Sequence, residues 1–268
     1  MIIGNKNFDT DNCAYVMGIL NVTPDSFYDG SKYDVVDAAV KRALQMVREG
    51  ASIIDIGGES TRPGYTPVST EEECDRVLPV IEAIKKEIDI PISLDTFKPI
   101  VAREGIKAGA DMINDIWGLK YDSEMAGVIA EGKVACTLMH NRDNGNYKSL
   151  IDDVATDLSE TLNIAAKAGI DDDRIILDPG IGFAKDTNQN LECIRDIGIL
   201  KQFGIPLLLG ISRKSVIGNV LNQPVEERLP GTLALNLYGI LNGVSFIRVH
   251  DVKEHVEAIK MLEAVKRA

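Results

Sequence analysis

The chain has 268 residues, 45% of them hydrophobic, with a formal net charge of −12. That length and apolar content suffice for one large core. The acidic balance argues against sequence-independent binding to nucleic acid and against docking on an anionic membrane, both of which need clustered Lys and Arg, but a few local cations could still hold a small anionic substrate.

Taken in chain order, eight short runs rich in Ile, Leu or Val stop abruptly at polar residues. They are Gly18-Ile-Leu-Asn21, Ile53-Ile-Asp-Ile-Gly-Gly-Glu59, Ile92-Ser-Leu-Asp95, Met112-Ile-Asn-Asp115 and Thr137-Leu-Met-His140, then the runs reaching Asp178-Pro-Gly-Ile-Gly-Phe183, Gly210-Ile-Ser-Arg-Lys-Ser215 and Arg248-Val-His250. Helical patterns lie between them. Val36, Ala39, Val40, Ala43, Leu44 and Val47 recur at the spacing of one buried helix face. Ser69 opens a capping box ahead of Val77, Val80, Ile81, Ile84 and Ile88. Further helices are predicted over Pro99–Ala108, Ser123–Glu131, Leu150–Ala168, Thr187–Phe203, Thr232–Leu241 and Val252–Lys266.

Strand and helix thus alternate eight times, which closes most simply as a single (β/α)8 TIM barrel spanning residues 1–268. A doubly wound open sheet is the alternative, but the first strand is followed by Asn21-Val-Thr-Pro-Asp-Ser rather than a Gly-x-Gly-x-x-Gly turn. Long connections are expected after strands 1, 2 and 7, over Val22–Asp34, Glu59–Ser69 and Ser212–Pro230. In such a barrel the carboxyl ends of the strands share one face, where the active site lies.

Cys13, Cys74, Cys136 and Cys193 form no Cys-x-x-Cys pair, which argues against a zinc or redox motif and suits a reducing cytosol. The N-terminus shows no signal-peptide pattern, and no run approaches the ~20 apolar residues that span a bilayer. A cytoplasmic location is the expectation.

Asp95, Asn114 and Asp178 end three different strands. Singly, each reads as the cap of the following helix. As a set aimed at one cavity they favour a flat heterocycle, because a carboxylate accepts two adjacent hydrogen bonds. Arg248 and His250 alternate with Val249 and would present two donors on one side, an anion site to which Lys214 could add. Arg213 reads better as a surface ion pair, and His255 as a structural residue on a solvent-facing helix side. Asn21 and Asp25 are oxygen ligands near strand 1. No Ser/His/Asp or Cys/His arrangement and no Walker loop stands out, so chemistry by positioning and charge stabilisation is expected.

Gly18-Ile-Leu-Asn-Val-Thr-Pro-Asp-Ser-Phe27, Asp55-Ile-Gly-Gly-Glu-Ser-Thr-Arg-Pro-Gly64, Ser93-Leu-Asp-Thr96, Ile113-Asn-Asp115, Leu177-Asp-Pro-Gly-Ile-Gly-Phe183, Ser212-Arg-Lys-Ser215 and Arg248-Val-His-Asp251 stand in one order along the chain. Together they resemble the dihydropteroate synthase family of pterin-binding barrels. The resemblance runs from Tyr15 onward and leaves the first twelve residues unmatched. It implies condensation of 6-hydroxymethyl-7,8-dihydropterin diphosphate with 4-aminobenzoate, releasing diphosphate, in folate biosynthesis. It further implies Mg²⁺, sulfonamide inhibitors and a homodimer.

By the same resemblance, the pterin would be held by Asp95, Asn114, Asp178, Lys214, Met139, Gly210 and Arg248. Phe27, Thr61, Arg62, Pro63, Phe183 and Ser215 would shape the aminobenzoate site. Asn21, Thr61, Arg62, Arg248 and His250 would hold diphosphate, Asn21 would ligate the metal, and Lys214, Arg248, His250 and Asp95 would be catalytic. The sequence departs from the common family pattern at Ser31, at Ala184 and at His140-Asn141-Arg142. Two other readings share the acidic pterin contacts, a methyltetrahydrofolate-binding corrinoid methyltransferase and a non-catalytic pterin-binding protein. Neither has a use for the diphosphate residues.

Overall fold

The expected alternation of strands and helices folds into a ring. The structure is a computed structural model describing residues 1–22, 32–59 and 68–268, with the backbone alone at 32 and 33. Eight parallel strands form the wall: β3 (Tyr15–Asn21), β4 (Ile53–Gly57), β5 (Ile92–Asp95), β6 (Met112–Asp115), β7 (Ala135–Met139), β8 (Ile175–Asp178), β9 (Leu208–Leu209) and β10 (Phe246–Val249). Their order is β8-β7-β6-β5-β4-β3-β10-β9. A parallel bridge between Leu177 and Leu207 joins the two ends, supported by a 2.9 Å hydrogen bond from the Leu177 amide to the Pro206 carbonyl. The wall is therefore a closed TIM barrel.

Before it comes a small antiparallel hairpin, β1 (Ile2–Ile3) with β2 (Lys6–Asn7). Strands of two residues carry no readable periodicity, and nothing in the sequence pattern announces this one. Its role is clear from packing. Ile3 and Phe8 are buried with Met17, Ile53, Met112, Ala135, Ile176, Leu208 and Phe246, which come from the amino-terminal parts of the wall strands. The hairpin thus plugs the amino-terminal end of the barrel.

Strand side chains alternate between the two faces of the sheet. From that plug the inward positions climb Ile53–Asp55–Gly57, Ser93–Asp95, Met112–Asn114, Ala135–Thr137–Met139, Ile176–Asp178 and Phe246–Arg248. The strand register places Gly57, Asp95, Asn114 and Thr137 side by side. So the lumen is apolar at the bottom and polar at the mouth. The outward positions pack under the helices in the larger core.

The surrounding helices are α1 (Lys32–Glu49), α2 (Thr70–Glu87), α3 (Pro99–Ala108), α4 (Glu124–Gly132), α5 (Leu150–Ala168), α6 (Thr187–Arg195), α7 (Ser215–Leu221), α8 (Leu229–Leu241) and α9 (Val252–Arg267). The Ser69 cap is present: its side chain accepts from the Glu72 amide at 3.1 Å. Three expectations need correction. The helix predicted over Thr187–Phe203 stops at Arg195 and goes on as 3₁₀ turns over Ile197–Phe203, with Gly198 inside them, a residue that weakens a helix interior. The connection Ser212–Pro230 contains α7, too short a helix for its periodicity to stand out, and α8 begins earlier, with Pro230 in its first turn. His255 does not face solvent; it is buried, with Nδ1 2.6 Å from the Asp251 carbonyl oxygen. The expected long loops after strands 1 and 2 fall mostly outside the described residues. Among the described residues no helix is long and apolar enough to cross a membrane.

Phe246 anchors the plug. It is fully buried, with its ring centroid 5.7 Å from that of Phe8 and 5.6 Å from that of Tyr15. Truncation to alanine should destabilise the barrel by ~3–5 kcal/mol, as expected for an unrelaxed aromatic cavity. Urea denaturation followed by circular dichroism checks this; a change below ~1 kcal/mol would show that the hairpin collapses into the space.

Candidate active site

The mouth of the barrel is organised around one arginine. Arg248 leaves β10 and donates from Nε to Asp55 Oδ2 at 2.5 Å and from Nη2 to Asp95 Oδ2 at 2.6 Å. Asn114 Nδ2 donates to the same Asp55 oxygen at 3.3 Å. Asp55, Asp95 and Asn114 are all buried. The other carboxylate oxygens, Asp55 Oδ1 and Asp95 Oδ1, are buried without a hydrogen-bond partner. Buried acceptors left unpaired are costly, so the site is poised for donors from a ligand.

Across the lumen, the buried Asp178 ends β8. Its Oδ1 accepts from the Gly180 amide at 2.7 Å, while Oδ2 lies beside Gly210. A side chain on Gly210 would place its first carbon 3.4 Å from that oxygen, so glycine keeps this wall open. Lys214 reaches in from the following turn. Its Nζ donates to the Ile181 carbonyl and lies 4.8 Å from the Phe183 ring centroid. Met139, beside Asp178 in the register, packs with Phe97, Ile116, Trp117 and Phe183 as an apolar wall.

Burial sets the charge states. It raises the Asp95 pKa to about 7, against the pull of Arg248 and with a push from Asp55. It also raises Asp178, opposed chiefly by Lys214. Burial lowers the ammonium of Lys214 to about 8, and that of Lys185, behind the Asp178 turn, to about 8 as well. The Arg248 guanidinium loses hydration on burial, yet its two carboxylates hold it as a cation more firmly than usual.

Asp95, Asn114, Asp178, Lys214, Met139, Gly210, Phe183 and Arg248 therefore converge on one cavity. His250 lies just past the end of β10, where Nδ1 is 2.9 Å from Ser212 Oγ and the backbone amide donates to the same oxygen at 3.2 Å. Ser215 is the exposed first residue of α7, next to Lys214. Phe27, Thr61, Arg62 and Pro63, like Asp25, lie outside the described residues. Asn21 ends β3; a side-chain carbon on Gly57 would sit 3.8 Å from Asn21 Oδ1 and 3.7 Å from Asp95 Oδ2, so this amide borders the same cavity. Among the described residues no group of three or more His, Cys, Asp or Glu converges to hold a metal ion. A single amide oxygen fits Mg²⁺ that keeps its waters and is bound mainly by a substrate diphosphate.

The sequence reading missed two sets of residues. Asp55 sat inside a quoted motif, and its period-2 relation to Gly57 was the available signal. Lys98 donates to Glu59 Oε2 at 2.5 Å, to Glu73 Oε2 at 2.7 Å and to the Val68 carbonyl at 2.8 Å. It thereby fixes both flanks of segment 60–67, a role that no spacing reveals. Arg213 is also more than a surface pair: it holds Asp251 with two bonds, 2.9 Å from Nε and 2.5 Å from Nη2, while its own backbone is left-handed at φ 56°. The Ser212–Lys214 turn is thus pinned to the end of β10.

A family model described as pterin binding enzyme matches residues 17–250. The dihydropteroate synthase of Clostridium beijerinckii is 54% identical over 268 residues, covering all of both chains. The chain belongs to the dihydropteroate synthase family. Among solved structures, the Clostridium difficile dihydropteroate synthase determined in the presence of pteroic acid superposes with a TM-score of 0.95 at 48% identity, covering 98% of this chain and 100% of that one. The Yersinia pestis dihydropteroate synthase, solved in complex with a sulfonamide drug, has a TM-score of 0.93 at 39% identity, covering 100% and 99%.

The charge states predict a bell-shaped pH profile of kcat/KM for the pterin substrate. Activity should rise as Asp95 loses its proton near pH 7 and fall above about 8 as Lys214 and Lys185 lose theirs. In Asp95→Asn the acid limb should disappear from whatever activity remains. Steady-state rates across the range decide the matter; a flat wild-type profile from below 7 to above 8 would refute both assignments.

Proposed function

We propose that this chain runs the family's condensation by a dissociative route, with its residues divided between a pterin floor and an anion rim. The reaction joins 6-hydroxymethyl-7,8-dihydropterin diphosphate to 4-aminobenzoate and gives 7,8-dihydropteroate and diphosphate. The observation that carries the residue assignment is the buried set Asp95, Asn114 and Asp178, with the half-buried Lys214, around Arg248. Two acidic residues with unpaired or cavity-facing oxygens suit the ring N–H and NH₂ donors of a pterin, and the Lys214 ammonium suits its carbonyl. Gly210 and Met139 bound the ring face.

On this reading Arg248 uses Nη1, the guanidinium nitrogen not engaged by Asp55 or Asp95, for the diphosphate. His250, held by Ser212, is the second anion group. Asn21 would hold Mg²⁺ together with the substrate, and the ion would supply charge neutralisation for the leaving diphosphate. The electron-rich dihydropterin stabilises a cation at its exocyclic carbon once the C–O bond breaks, and the rim stabilises the departing anion. The arylamine nitrogen, neutral near pH 7, then attacks and gives up its proton to solvent. No strong base is required. Phe183 and Ser215, with Phe27, Thr61, Arg62 and Pro63 from the two long connections, form the aminobenzoate site. Sulfonamides, as flat mimics of aminobenzoate, are the matching inhibitors.

Residues 1–268 act as one catalytic domain in the cytoplasm. A homodimer is supported by the exposed apolar side chains Val220, Leu221, Tyr238 and Leu241 on the neighbouring helices α7 and α8.

Diphosphate release from the pterin substrate, measured with and without 4-aminobenzoate, tests the function. Release that depends on 4-aminobenzoate and yields dihydropteroate is expected, and it should stop on exhaustive chelation of divalent metal. No release would leave a non-catalytic pterin-binding protein or a methyltetrahydrofolate-binding corrinoid methyltransferase instead. Asp178→Asn should weaken pterin binding by ~2–4 kcal/mol with the fold intact, because an amide NH₂ then opposes a ligand donor. Calorimetric affinity within a few-fold of wild type would refute the floor.

A further inference from the structure

His140 and Lys185 lie behind the cavity, and neither is assigned a contact with substrate above. Lys185 Nζ is 3.0 Å from the Gly180 carbonyl oxygen, 3.2 Å from the Phe183 carbonyl oxygen and 3.0 Å from His140 Nδ1. An ammonium has three hydrogens and accepts none, so all three are used and Nδ1 must be the acceptor. The proton of the imidazole is therefore on Nε2, which donates to Asp157 Oδ2 at 2.9 Å. His140 is fully buried at its side chain. Burial first, and the neighbouring ammonium second, lower its pKa to about 3, so this neutral tautomer is the only state of the ring at working pH. Asp157 stands on α5, where Arg142 Nε also donates to it at 2.5 Å.

The segment that Lys185 holds is unusual. Gly180, Gly182 and Ala184 all have left-handed backbones, with φ of 69°, 86° and 47°. A side chain on Gly180 would strike the His140 carbonyl oxygen at 1.9 Å, so the turn lies directly on the His140 backbone. Ala184, the non-glycine member, keeps a left-handed backbone only where the surroundings fix it. They do so from two sides: Lys214 takes the Ile181 carbonyl from the cavity, and Lys185 takes those of Gly180 and Phe183 from behind. Asn190 Oδ1 adds a bond from the Gly182 amide at 2.6 Å.

We propose that Asp157, His140 and Lys185 form a positioning relay, running from an outer helix to the 180–183 turn, that sets Asp178, Lys214 and Phe183 for both substrates. The inference rests on the pterin floor and aminobenzoate site proposed above. It gives His140 and the Ala184–Lys185 stretch a task beyond packing. It also explains why a neutral, singly protonated histidine is needed there: the imidazolium would present a proton to the ammonium, and the other tautomer would do the same.

Lys185→Met keeps the bulk and removes the three bonds. Calorimetry with a pterin lacking diphosphate should show affinity falling by about tenfold or more, and the KM for 4-aminobenzoate should rise by about fivefold. Binding of inorganic diphosphate with Mg²⁺, which uses Arg248 and His250, should stay within about twofold. Asp157→Asn, at the more exposed end of the relay, should show the same split at about a third of the size, and it carries the test if Lys185→Met does not fold. Pterin and aminobenzoate values unchanged in the folded variants, or all three ligands weakened in parallel, would overturn the relay. Asp178→Asn is measured beside them. If it too binds pterin normally, the floor assignment is what failed; if it alone loses pterin, only the relay did.

Discussion

One guanidinium shared by two buried carboxylates holds the mouth of this barrel together. Arg248 from β10 meets Asp55 from β4 and Asp95 from β5, so a single side chain reaches past β3 to two adjacent strands of the wall. A buried ion cluster of this kind contributes little net stability, since desolvation offsets most of the attraction. Its effect is orientation. It fixes which oxygens are used up and which remain, and the two left unpaired, on Asp55 and Asp95, set the demand for a ligand rich in donors.

That polar layer is tolerable because the layer beneath it is not polar. The hairpin plug, with Phe8, Met17, Ile53 and Phe246, excludes water from the amino-terminal end and leaves one open face. Charged side chains then tie the irregular segments of that face to the rigid wall. Lys98 ties Glu59 to Val68, Arg213 ties the Ser212–Lys214 turn to Asp251, and Lys185 backs the Asp178 turn. In each case a cation reaches backbone carbonyls or carboxylates that no regular ladder would satisfy, which is how irregular backbone can be held still near a reacting centre.

Much of this is legible in the amino-acid sequence. Eight apolar runs ending in polar residues, separated by helical periods, specify a parallel wall whose strand ends share a face, and Asp95, Asn114, Asp178, Lys214 and Arg248 come together there. The signal was strong where a regular period or a cap carried it, as at Val77, Val80 and Ile81 behind Ser69. It failed where an element is too short or too irregular for a repeat to show: the two-residue hairpin strands, the seven-residue helix α7, and the 3₁₀ continuation after Arg195. His255 was misplaced for a related reason. A helix face is judged from its neighbours, and Glu254 and Glu257 beside it say nothing of the Asp251 carbonyl that accepts its proton.

The amino-acid sequence by itself determined the class of fold, the family and the order of polar strand ends around the mouth, because hydrophobic period and motif order are properties of neighbours along the chain. Only the tertiary structure decided how those residues are paired. Arg248 bonds to residues 193 and 153 positions away, and Lys185 to a histidine 45 positions away. Such pairings depend on which strand lies beside which and how far each side chain reaches, and hydrogen-bond energy depends on distance and angle, which a linear pattern does not contain.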